Sequence, residues 1–172
     1  MKKFNANFLE PPKQQLNDLL EYYRAGRFAD AEKLSLSVTQ EFPEHPFAWK
    51  VLGAILKQTN RISESLVASQ KSVQLEPQDA ESQYNLGNTL KVLTRLNDAE
   101  VSYRKAIALK PDFAEAYNNL GITLKEVGKL NDAEVSYRKA IALKPDYAEA
   151  YNNLGNTLKV LTRLNEAEVS YR

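Results

Sequence analysis

The chain contains no cysteine among its 172 residues. Disulfide frameworks, thiolate nucleophiles and cysteine-ligated metals are therefore excluded. Its one histidine, His45, stands between Pro43 and Pro46 in a turn and has no second histidine to complete a metal site, so it reads as a surface residue. Neither sign of charge is in excess. With 23 basic and 22 acidic residues the formal net charge is +1, whereas a general nucleic-acid or anionic-membrane binder needs a basic surplus. No apolar run is long enough to span a bilayer, and Phe4 to Gln15 lacks the apolar core of a signal peptide. Apolar and polar residues nowhere alternate long enough to argue for strands. Phosphate-binding glycine loops and nucleophile–base motifs are also missing. These absences point to a cytoplasmic, all-α protein without metal or cofactor, with no catalytic residues, and with neither nucleic acid nor membrane as partner.

The few glycines and prolines are regularly placed. Gly53, Gly87, Gly121 and Gly155 recur every 34 residues, as do Pro43, Pro77, Pro111 and Pro145. The block Leu96 to Asp112 returns unchanged at Leu130 to Asp146, with the same offset of 34. Such a chain is a stacked array rather than a single core. The units run 12–45, 46–79, 80–113, 114–147 and, in part, 148–172, after an N-terminal extension 1–11.

Within the fourth unit, Ala114, Tyr117, Leu120, Gly121 and Leu124 recur at helical spacing, and Ala133, Tyr137, Ala140 and Ile141 mark a second helix. A mid-helix glycine costs about 1 kcal/mol against alanine, so Gly121 implies close approach of the neighbouring helix. Gly128 is placed to end the first helix in the left-handed conformation. Asn131, with Glu134 three residues on, forms a capping-box pattern, and Asp146 is placed to cap the next first helix. Each unit is thus a helical hairpin that must stack on its neighbours to bury its apolar stripe.

Tyr117, Leu120, Gly121, Leu124, Ala133, Tyr137, Ala140 and Pro145, with Trp49, Leu52, Gly53 and Pro77 in the second unit, make the chain resemble the tetratricopeptide repeat (TPR) family from about residue 12 onward. The resemblance implies a right-handed superhelical solenoid with first helices lining its concave face, and a protein or peptide partner held there. Three departures stand out. Asp18 and Leu19 replace Leu-Gly in the first unit, which implies looser packing. Ser65, Ser69 and Ser72 replace Ala, Tyr and Ala in the second. Thr94 and Thr162 occupy the turn position held elsewhere by Gly26, Asn60 or Gly128, where a β-branched residue is ill suited to positive φ.

On the first helices, Asn85, Asn119 and Asn153 lie two residues before each repeat glycine, with Asn17 in the same place and Val51 interrupting the file. Asn118 and Asn152 stand beside it; Asn88 and Asn156 follow one turn on. A file of amides offers donors and acceptors to an extended peptide backbone, and is similar to the asparagine ladder of the O-linked N-acetylglucosamine transferase superhelix. The alternative role is hydrogen bonding between helices. Lys57, Lys91, Lys125 and Lys159 form a second file, read either as a preference for acidic peptides or as a solvated face balanced by Glu81, Glu115 and Glu149. A carboxylate clamp is not supported: Lys50 matches its first lysine, but Ala54, Glu115 and Asn119 occupy the remaining places. Tyr103, Tyr137 and Tyr171 read as inter-helix core.

At the ends, Phe4, Phe8 and Leu9 are expected to pack partly on the first hairpin. Leu158, Leu161, Val169 and Tyr171 would face no neighbour, so the last unit either continues in a longer array or self-associates end to end as a homo-oligomer. The leading function is a peptide-binding interaction module. The alternatives are the substrate-recognition arm of a larger transferase and a self-associating scaffold.

Overall fold

The computed structural model describes the backbone of residues 10–171 and the side chains of residues 10–162. The segment carrying Phe4, Phe8 and Leu9, and the side chains of Val169 and Tyr171, lie outside the described residues. Among those described, every element is a helix: α1 (Lys13–Arg24), α2 (Phe28–Glu41), α3 (Pro46–Gln58), α4 (Ile62–Leu75), α5 (Ala80–Val92), α6 (Leu96–Leu109), α7 (Ala114–Glu126), α8 (Leu130–Leu143) and α9 (Ala148–Tyr171). They fall into two compact units, Met1–Pro77 and Gln78–Arg172.

In the Gln78–Arg172 unit, the pairs α5/α6 and α7/α8 are antiparallel hairpins whose small residues bury completely: Ala99 and Ala106 on α6, Ala133 and Ala140 on α8. Gly87 and Gly121 are each a socket for a tyrosine ring. A Cβ on Gly121 would lie 2.6 Å from Cε1 of Tyr137, and one on Gly87 would lie 2.7 Å from Cε1 of Tyr103. The close approach expected at Gly121 is therefore met by an aromatic side chain of the partner helix.

In the Met1–Pro77 unit the same site is filled differently. At Gly53 the tyrosine is replaced by Ser69, and a Cβ on the glycine would meet Ser69 Oγ at 2.7 Å and its backbone nitrogen at 3.2 Å. The small–small pair draws the α4 backbone toward α3, and Ser65 Oγ donates to the Gly53 carbonyl at 2.7 Å. In the first hairpin the sizes are reversed: Leu19 stands at the glycine position, fully buried, opposite buried Ser35. Close packing requires only that the summed volume fit. As expected from the Asp18–Leu19 departure, α1 packs less closely on α2 than later first helices do on theirs.

Gly128 ends α7 at φ +81°. Thr94 adopts φ +56° at the equivalent place and closes α5 with the same bonds, Thr94 N to Lys91 O at 2.9 Å and Arg95 N to Leu90 O at 2.9 Å. Packing of α6 against both α5 and α7 holds the threonine in this strained state. Thr162 takes the other route. The turn is absent, α9 continues through it, and Thr162 Oγ1 donates to the Leu158 carbonyl at 2.9 Å.

Two capping expectations fail. Helix α8 starts at Leu130 with Lys129 at its cap and no side-chain cap bond; Asn131 lies inside the first turn, and Glu134 instead pairs with Arg138 at 2.8 Å. The turn at Gly128 delivers the chain to Lys129 already aligned, so Ala133 N reaches the Lys129 carbonyl at 3.0 Å. Asp146 also makes no side-chain cap: its backbone carbonyl accepts from Ala148 N at 2.9 Å. The aspartate that caps is Asp79, immediately before Ala80, which accepts from the backbone of Glu81 and Ser82.

Candidate functional site

In the Gln78–Arg172 unit, α5 touches α7 and α7 touches α9, whereas α6 and α8 do not meet. Hairpins stacked this way converge on their first helices, so α5, α7 and α9 form one continuous inner face. The same holds in the Met1–Pro77 unit, where α1 touches α3 but α2 does not touch α4.

The asparagines of α5, α7 and α9 meet across successive repeats. Asn119 Nδ2 donates to Asn88 Oδ1 at 2.8 Å and to Tyr84 Oη at 3.1 Å. Asn153 Nδ2 repeats the rung one unit on, donating to Asn118 Oδ1 at 3.1 Å, and Asn118 Nδ2 reaches Glu149 Oε1 at 3.1 Å. Buried Asn88 also accepts from Tyr103 Oη at 2.8 Å. Part of the file thus joins helix to helix. Asn85 is half-buried, and Asn152 and Asn156 are exposed. Asn17 is exposed on α1, and Val51, which interrupts the file, is buried. Below each ladder position a threonine hydroxyl caps the backbone: Thr89, Thr123 and Thr157 donate to the carbonyls of Asn85, Asn119 and Asn153 at 3.1, 2.9 and 2.8 Å.

The tyrosines behind the face are held neutral by burial. Burial raises Tyr84 and raises Tyr103 further, and it pushes Tyr137 and Tyr147 up to about 12. Tyr103 and Tyr137 are fully buried core, as their spacing implies. Tyr84 packs on Phe113 with ring centroids 4.8 Å apart.

Lys91 and Lys125 sit half-buried in the last turns of α5 and α7, and Lys159 is exposed on α9. Glu81, Glu115 and Glu149 stand in the first turns. Each file complements its helix dipole, and the inner face is left with a basic edge and an acidic edge. Glu115 also pairs with Lys144 at 3.5 Å. On α9, Leu158 and Leu161 are half-buried, while Tyr151 and Val160 are 51% and 40% exposed.

His45 departs from its surface reading. It precedes α3, its side chain is 18% exposed, and Nε2 lies 3.5 Å from Glu10 Oε2. The turn folds it under the chain before α1 instead of into solvent.

A family model for the TPR repeat matches residues 95–128 and 123–159. Residues 95–159 of the chain are TPR repeats. No curated protein matches it in sequence. Solved structures show the same TPR solenoid. MamA is 23% identical, with a TM-score of 0.78 over 92% of this chain and 87% of that one. YrrB, a TPR protein with an unusual peptide-binding site, is 18% identical, with 0.74 over 86% and 76%. The first TPR of Spaghetti (RPAP3), bound to the HSP90 peptide SRMEEVD, is 22% identical, with 0.67 over 68% and 93%. Among the described residues no helix is long and apolar enough to cross a membrane.

The TPR rungs were only half legible. The file at Asn85, Asn119 and Asn153 follows from the 34-residue spacing, but bonds run to the residue 35 earlier, Tyr84 or Asn118, and from Asn119 also to Asn88, 31 earlier. Adding one residue to the repeat period would have exposed that pairing.

Proposed function

We propose that this TPR array is a non-enzymatic interaction module, working in the cytoplasm, that holds a peptide or protein segment along the face of its first helices. The observation that carries the reading is the polar row on α5, α7 and α9: Asn85, Asn152 and Asn156 make no side-chain hydrogen bond among the described residues, and Lys91, Lys125 and Lys159 run parallel to them. Amides without internal partners offer paired donor and acceptor sites to an extended backbone, and the lysine edge favours acidic side chains. Peptide binding by YrrB and by the first TPR of Spaghetti lends support at the level of the fold. A carboxyl-terminal EEVD tail is not the proposed ligand. Of the clamp positions only Lys50 is basic, and its Nζ lies over the Phe47 ring at 5.8 Å.

Asn88, Asn119 and Asn153 act within this reading mainly as supports, since their amides are engaged between helices. The test is selection of a displayed peptide library on the intact protein. Binders should lose about tenfold in affinity, about 1.4 kcal/mol, with Asn85→Ala plus Asn156→Ala, or with Lys125→Glu, at unchanged helicity. Binders indifferent to both changes, or no binders at all, would sink the proposal.

A further inference from the structure

On the face opposite the first helices, the gap between α6 and α8 opens as a furrow of about 460 Å³. Tyr117 and Leu120 of α7 floor it, Ile107 lines one wall, and Val135, 68% exposed, lines the other. The volume lies within the roughly 300–1,000 Å³ of sites that enclose small ligands. A furrow in the same register lies between α2 and α4, floored by Trp49 and Leu52, with about 240 Å³.

The two differ in charge. Leu36 in the α2/α4 furrow becomes Arg104 in the other, and Lys71, its charge paired with Glu44 at 3.2 Å, becomes Lys139, which has no ion pair among the described residues. Arg104 does not stand alone against a carboxylate: Glu100 accepts from it at 2.9 Å and from Lys129 at 2.8 Å. Glu100 is thus shared by two cations, Arg104 and Lys129, and Lys139 stands on the opposite wall without a carboxylate, so the rim of the apolar furrow carries a cationic excess. In the α2/α4 furrow Arg61 is clasped between Glu32 and Glu64, which leaves no cationic excess there.

We propose that the α6/α8 furrow is a second binding site, which takes a short partner segment whose large apolar side chains are flanked by carboxylates. The apolar groups would cover Tyr117, Ile107 and Val135, removing exposed hydrocarbon from water, while the carboxylates meet Arg104 and Lys139 at the rim, where charge sets partner choice. The site lies on other helices than the first-helix face, so it stands or falls separately from the proposed groove.

The probe is a fluorescein-labelled hexapeptide, Glu-Asp-Leu-Trp-Asp-Glu, followed by fluorescence anisotropy with the intact protein. Lys139→Glu and Val135→Glu should each weaken binding about tenfold, and the same peptide with lysines for its acidic residues should not bind. Lys71→Glu in the companion furrow and Lys125→Glu on the first-helix face should leave affinity unchanged. Circular dichroism accompanies each variant; if Val135→Glu lost helicity, Lys139→Glu would decide alone. Absence of binding to the wild-type protein, insensitivity to Lys139→Glu, or loss with Lys125→Glu would each overturn the proposal.

Discussion

The hydroxyl of Tyr103 donates to Oδ1 of Asn88 at 2.8 Å, whereas for the equivalent Tyr137 the place of Asn88 is taken in the sequence by Ile122 and the buried oxygen has no hydrogen-bond partner. Thr157 lies near Tyr137 but outside hydrogen-bond geometry, and its hydroxyl already donates to the Asn153 carbonyl at 2.8 Å. Two rings carried on helices of identical sequence are thus energetically different. Tyr103→Phe should destabilise the protein by about 1 kcal/mol, while Tyr137→Phe should be neutral or slightly stabilising, because it removes an unsatisfied group. Urea unfolding of the two variants checks this; equal losses would contradict it.

The repeat glycines should separate in the same way. Gly121→Ala places a methyl 2.6 Å from the Tyr137 ring and should cost about 1–3 kcal/mol through overpacking. Gly155→Ala meets nothing within 4 Å inside α9 and should gain about 0.5–1 kcal/mol from helix propensity. Thermal melts of both proteins compare them directly.

Thr94 holds φ +56°. Thr94→Gly should stabilise the protein by about 1 kcal/mol, the usual cost of the left-handed region for a residue with a Cβ. Gly128→Thr should lose a similar amount. The measurement is the denaturation midpoint, and a destabilised Thr94→Gly would show that the turn carries no strain.

Alkaline pH should unfold the array through its tyrosines. Burial raises Tyr137 and Tyr147 from the ordinary 10.0 to about 12. Because the folded state binds these protons more tightly, the associated stability is present below pH 10 and is lost as pH rises toward 12. Helicity measured by circular dichroism should fall together with the rise of tyrosinate absorbance. Tyrosinate formation at an ordinary pH with helicity intact would argue against buried hydroxyls.

The 34-residue recurrence of glycine and proline carried the helical hairpins and the close helix approach at Gly121 into view, because an array repeats its local physics at every period; that a tyrosine ring of the same hairpin fills the approach emerged only in three dimensions. It could not place the caps. Asn131 and Asp146 have the right chemistry for capping, but the backbone path out of the preceding turn decides which residue stands at the helix end: before α8 that is Lys129, and before α9 it is Tyr147, whose carbonyl accepts from Tyr151 N.

The linear sequence alone determined that this is a TPR array and which side chains lie on its first helices, since both depend on periodic local pattern. Only the tertiary structure decided which asparagines join repeats and which keep their amides to themselves, that Leu19 and Ser35 exchange the sizes of glycine and tyrosine, and that Lys139 lacks the carboxylate that Lys71 has. Those outcomes depend on distances between hairpins, where identical residues meet different neighbours.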